Sequence, residues 1–117
     1  MKKLIKVYIA GALNSDAIGY IKNMHRMIEW ADKVRSAGFC VYVPCVDFLI
    51  GLQIGDYEYN DYFDNGQPWL EVSDCIFLVP GWENSKGTQM EIARANELGI
   101  PVFNNLENLM LFKNKLD

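Results

Sequence analysis

Four short runs of branched and aromatic residues, each separated from the next by room for at least one helix, limit what this chain can become. Residues 5–10 are nearly all apolar and stop at Gly11; residues 39–43 are closed by Pro44. Residues 75–79 end at Pro80-Gly81, and residues 100–103 form the fourth run. Runs this short and this apolar fit strands covered on both faces. Between the first two, residues 17–37 carry Tyr20, Met24, Met27, Ala31 and Val34 on one helical face, and Gly38 stops them. A second helix is predicted over 86–98, with Ser85 as N-cap and Gly99 as C-terminal stop, and a third over 106–116. Strands alternating with helices imply an α/β domain: a parallel sheet, right-handed crossovers and helices on both faces.

Two stretches are less periodic. Residues 45–55 are apolar and allow a short helix whose register the pattern leaves open. Residues 57–72 are crowded with aromatics and acids and interrupted by Asn65-Gly66-Gln67-Pro68, so a helix is expected only over 68–72. The 117 residues are expected to form one domain, residues 1–117, with half the residues apolar and 22% charged, enough for a real core. A net charge of −4 argues against polymeric nucleic acid bound through a broad basic surface. Cys40, Cys45 and Cys75 lack metal or redox spacing and read as reduced core thiols, the usage of a cytoplasmic protein. No run reaches the roughly 20 apolar residues of a membrane span, so no membrane partner is expected; no metal or cofactor is expected either.

Parallel sheets bind ligands beyond the carboxyl ends of their strands. That edge collects Gly11 to Ser15, Pro44 to Asp47, Trp82 to Ser85 and Asn104-Asn105, while Asp74 falls at the opposite edge as a turn or capping residue. One acid breaks the pattern. On the helix after the third strand, Thr88, Ile92, Ala95 and Leu98 recur at core-facing spacing, and Glu91 lies three residues after Thr88 and four before Ala95. Its carboxylate therefore points along the apolar stripe, where burial is costly without partners. Either a core-edge tyrosine or lysine pairs with it, or it belongs to a site.

The opening Val7-Tyr8-Ile9-Ala10-Gly11, the segment Gly81-Trp82-Glu83-Asn84-Ser85-Lys86-Gly87 and Glu91 together resemble the nucleoside 2-deoxyribosyltransferase superfamily. The resemblance spans nearly the whole chain and is tightest over residues 74–103. It is nearest to a small, often phage-borne branch related to the deoxynucleoside 5′-monophosphate N-glycosidases. It implies a flavodoxin-like, Rossmann-like three-layer sandwich with a four- to five-stranded parallel sheet. It also implies a homodimer or higher homo-oligomer, and a small nucleoside or nucleotide as ligand. By the same resemblance Glu91 matches the nucleophile and Ser85 a phosphate- or sugar-contacting position. Gly87 falls in the glycine-rich turn, Tyr8 matches an aromatic at the end of the first strand, and Gly11, Asn14 and Ser15 fall in a ligand-contacting loop. The family's second acid, eight residues before the one that opens the third strand, is replaced here by Gly66. Asp64, Asp61 and Asp47 are the candidates to stand in for it.

A carboxylate beneath an anomeric carbon stabilises oxocarbenium charge and traps it as a glycosyl ester, which water or a second base then opens. The implied activity is an N-glycosidase or deoxyribosyltransferase; the alternative is a nucleotide-binding sensor module with little catalysis. Ser85 serves as N-cap and ligand contact together. Tyr8 is a core aromatic or a sugar contact, and Trp82 a base-stacking platform or a cover on the sheet edge. Tyr57, Tyr59, Tyr62, Phe63 and Trp69 fit a core or subunit interface better than a base-binding wall, and His25 fits a surface or boundary position.

Overall fold

The computed structural model describes residues 4–116. Four parallel strands, β1 (Lys6–Ala10), β2 (Cys40–Tyr42), β3 (Cys75–Leu78) and β4 (Val102–Phe103), form one sheet in the order β2-β1-β3-β4. Five α-helices connect and follow them: α1 (Ala17–Ser36), α2 (Cys45–Ile54), α3 (Tyr59–Glu71), α4 (Lys86–Leu98) and α5 (Leu106–Leu116). The chain reverses direction across the sheet between β1 and β3, the switch point at which ligand clefts of such folds open.

Strand alternation sorts the core into two layers. Val7, Ile9, Cys75, Phe77 and Val79 pack on one face with Met27, Ala31 and Val34 of α1 and Leu109 of α5. Tyr8, Ala10, Ile76 and Leu78 pack on the other with Leu70 of α3 and Ala95 of α4. The protein is thus a three-layer α/β sandwich with a four-stranded parallel sheet. Gly11 is needed where β1 leaves the sheet, because a Cβ there would stand 3.0 Å from the Cβ of Val79.

Several expectations are corrected. Residues 57–72 are not a broken loop, since α3 runs unbroken through Asn65-Gly66-Gln67-Pro68. A capping box starts it, with Glu58 and Asp61 side chains each meeting the other's backbone amide. Pro68 forfeits one helical hydrogen bond, and burial of Gly66 and Leu70 against the sheet offsets that loss. Residues 45–55, whose register was open, form α2, ended by Gly55 in the left-handed region. Leu98 is not a core residue: it is 43% exposed at the last turn of α4, where the helix has passed the edge of the sheet. Cys40 is also exposed, unlike buried Cys45 and Cys75, because it opens the edge strand β2. Asp74 accepts the Lys6 amide at 2.8 Å, joining the starts of β3 and β1 at the edge away from the cleft.

Candidate active site

Tyr8 and Tyr42 are direct partners in the β1–β2 register, so their side chains leave the same face of the sheet side by side. Their rings stack at 5.6 Å, and Trp69 of α3 stacks on the far side of Tyr42 at 5.9 Å. Each tyrosine holds a carboxylate. The Tyr8 hydroxyl donates to Glu91 Oε2 at 2.5 Å, and the Tyr42 hydroxyl donates to Asp47 Oδ2 at 2.5 Å. Two strands therefore present two tyrosine–carboxylate pairs, one acid delivered by α4 and the other by α2.

Tyr8, Glu91 and Asp47 line a cleft of about 920 Å³ above the carboxyl edge of the sheet, ample for a nucleoside-sized ligand. Its floor is Tyr8 to Asn14, and one end is the start of α4, from Ser85 to Gly87. The opposite wall is aromatic, made by Tyr20, Phe48, Tyr59, Tyr62 and Phe63. Gly87 has open space where a side chain would stand, which leaves the first turn of α4 accessible to a ligand. Ser85 caps that turn by accepting the Thr88 amide at 3.2 Å. The first amides of a helix lack intrahelical partners, and they join the helix dipole in favouring an anion here. Lys86 and Arg94 also line the cleft, although Arg94 is already shared by Glu71 at 2.8 Å and Glu97 at 3.0 Å.

Glu91 is half-buried, and its placement perturbs its chemistry. Burial pushes its carboxyl up to about 7, while the hydrogen bond from Tyr8 pulls it back down. Burial first, and then the adjacent Glu91 charge, holds the Tyr8 phenol far above its ordinary value. Burial and the hydrogen bond to Asp47 raise the Tyr42 phenol as well. In this arrangement both tyrosines are donors that orient acids. A carboxyl near neutrality that borders a cleft is a common mark of a reactive group.

The structure brings together most of the residues singled out in the sequence. Glu91, Asp47, Tyr8, Gly11, Asn14, Ser85 and Gly87 all line the cleft. Three do not. Asp64 lies with Asp56, Tyr57, Asp61 and Asn65 around a separate shallow depression, because α3 turns that face outward. Ser15 is exposed and folds back beside Gly19 on the first turn of α1. Trp82 packs against the core layer of Tyr8, Leu70 and Ala95, the position of a cover over the sheet edge. The aromatic cluster divides: Tyr59, Tyr62 and Phe63 line the cleft, whereas Trp69 stacks on Tyr42. His25 pairs with Glu29 on the solvent side of α1.

Tyr42, Tyr20, Phe48, Gln67, Lys86 and Arg94 were not anticipated as parts of the site. Tyr42 had a faint signal, since the same-face register with Tyr8 follows once β1 and β2 are aligned. Tyr20 had none; its hydroxyl is buried without a hydrogen-bond partner among the described residues.

This fold and cleft define a class, and the chain belongs to the family described as domain of unknown function DUF4406, whose profile matches residues 5–104. The fold is also similar to that of the 2-deoxyribosyltransferase from the psychrotolerant bacterium Bacillus psychrosaccharolyticus. That similarity has a TM-score of 0.58 at 22% sequence identity, and covers 83% of this chain and 69% of the other. No curated protein matches the chain. Among the described residues, no helix is long and apolar enough to cross a membrane.

Proposed function

We propose that this protein cleaves the N-glycosidic bond of a nucleoside or nucleoside 5′-monophosphate, with Glu91 as nucleophile and water or a second base as acceptor. The observation that carries this reading is the Tyr8–Glu91 hydrogen bond on the floor of the cleft, which fixes one carboxylate oxygen and leaves the other for chemistry. As the bond to the base lengthens, positive charge grows at the anomeric carbon, and the glutamate stabilises it before closing the glycosyl ester. A 5′-phosphate fits the start of α4, where Ser85, Lys86 and the first-turn amides converge without a basic patch. The fold shared with a 2-deoxyribosyltransferase supports this reading, as does the resemblance to small phage-borne proteins and monophosphate N-glycosidases.

A homodimer or larger homo-oligomer belongs to the same proposal. α2 is apolar on nearly every side, and Val46, Leu49, Ile50, Leu52 and Ile54 are each more than 40% exposed beside the aromatic wall. Such a helix calls for a partner surface; sedimentation of a monomer at micromolar concentration would exclude it.

The test is incubation with a panel of ribo- and deoxynucleosides and their 5′-monophosphates, with free base followed by chromatography. Base release that Glu91→Gln abolishes is the expected result; full turnover by that variant refutes the nucleophile. Gly66 at the family's second-acid position favours one other reading, a nucleotide-binding module without turnover. Measurable binding with no base release from any member of the panel would establish it.

A further inference from the structure

We propose that Asp47 is the proton donor to the departing base, delivered from α2 into the space that Gly66 leaves open on α3. This rests on the glycosidic reading above and supplies the step which that reading lacks. A Cβ built on Gly66 would stand 3.9 Å from Asp47 Oδ2 and 3.9 Å from the Tyr8 hydroxyl. An acidic side chain growing from position 66 would therefore run directly toward the place where the Asp47 carboxyl now sits. The acid has the same location but a different backbone origin. Because Gly66 is buried, an acid there and Asp47 together would crowd one another and repel.

Three further features fit Asp47 and exclude its rivals. Asp47 lies in the first turn of α2 and is half-buried, so it lines the cleft without being sealed from it. The Tyr42 hydroxyl engages Oδ2 and, among the described residues, no other side chain hydrogen-bonds this carboxyl. Asp61 is committed to the cap of α3, accepting the Glu58 amide at 2.8 Å, and Asp64 borders the separate depression. The Tyr8–Tyr42 stack then holds both acids in fixed relation, one for the anomeric carbon and one for the base.

The step balances as follows. A Glu91 oxygen forms a bond to the anomeric carbon as the carbon–nitrogen bond breaks, and that electron pair goes to the base nitrogen. The carboxyl proton of Asp47 passes to the base, leaving a carboxylate. In hydrolysis, that carboxylate takes a proton from the water whose oxygen displaces Glu91, which restores both acids.

The experiment compares wild type, Asp47→Asn, Glu91→Gln and the double variant Asp47→Ala/Gly66→Asp on a nucleoside substrate and on the 4-nitrophenyl glycoside of the same sugar. Nitrophenolate leaves without needing a proton. Asp47→Asn keeps an acceptor for Tyr42, and folding is checked by circular dichroism. The expected loss for Asp47→Asn is about 10²- to 10⁴-fold on the nucleoside, shrinking to less than about tenfold on the nitrophenyl glycoside. The double variant recovers part of the nucleoside turnover. Equal losses on both substrates, or nucleoside turnover near wild type, overturn the assignment of Asp47 while leaving Glu91 in place. Loss on neither substrate by Glu91→Gln overturns the parent reading instead, and a wild type inactive on both ends the two together.

Discussion

Replacing Glu91 by glutamine should make the protein more stable, and only where the acid would be ionised. The folded environment raises this carboxyl from 4.5 to about 7, with burial as the main cause. A group whose folded value exceeds its unfolded value binds its proton more tightly in the native state. Its contribution is therefore complete below about pH 4.5 and is lost as pH rises through about 7. At about 1.4 kcal/mol per pH unit, the ceiling on that loss is about 3 kcal/mol. Water in the cleft screens the charge, which brings the expected difference to about 1–2 kcal/mol. Glutamine keeps an oxygen to accept the Tyr8 hydroxyl, so the substitution removes the charge and little else. Urea denaturation of both proteins at half-unit steps from pH 4 to pH 8 measures the effect, because every other titrating group cancels in the difference. Glu91→Gln should gain relative to wild type between about pH 5 and 7 and hold that gain above it. At 1–2 kcal/mol the midpoint of thermal unfolding at pH 8 should rise by about 4–10 °C. Parallel stability curves across the whole range would show that the carboxylate is not held against its hydration, and the case for a primed acid would collapse.

Other perturbations read neighbouring parts of the same arrangement. Tyr8→Phe removes the donor that lowers the Glu91 value, so the acid limb of the pH–rate profile should move to higher pH; an unmoved limb would mean the hydrogen bond does not act on the reacting form. Gly51→Ala should destabilise the protein by about 1–3 kcal/mol in urea titration, because its Cβ would stand 1.9 Å from the Tyr62 hydroxyl and 2.7 Å from its ring. A neutral result would show that Tyr62 swings away without cost. Tyr20→Phe should raise stability by about 1 kcal/mol, since the hydroxyl is buried without a partner among the described residues. A loss of stability would place a bound water or another acceptor against that oxygen.

What could be read from the sequence depended on how many elements each feature needed. The strand, loop and helix around Pro80-Gly81 and Ser85 are local. Gly81 takes the left-handed conformation the turn demands, Ser85 caps the next amide turn, and α4 begins and ends where its pattern indicated. Glu91 was visible as one acid on an apolar stripe, and the tyrosine that pairs with it was one of the bland readings open from the start. These turn out to be one arrangement, since the tyrosine that offsets part of the burial cost also fixes one oxygen of the carboxylate. All of α3 before the helix expected over 68–72 was missed because Gly66 and Pro68 look like a break when read locally, whereas tertiary burial of Gly66 and Leu70 overrides their poor propensity. Asp47 is the hardest case. Its relation to Glu91 passes through the register of β1 with β2, the stack of two tyrosines and a missing side chain on a third element. No window of the sequence contains those parts together. A position-by-position comparison sees only a glycine where an acid is expected, and it reports a loss. The void at Gly66 becomes informative once it is known what fills the space in front of it. When a site is judged incomplete from one absent residue, the neighbouring elements must therefore be searched for an acid that arrives by another route.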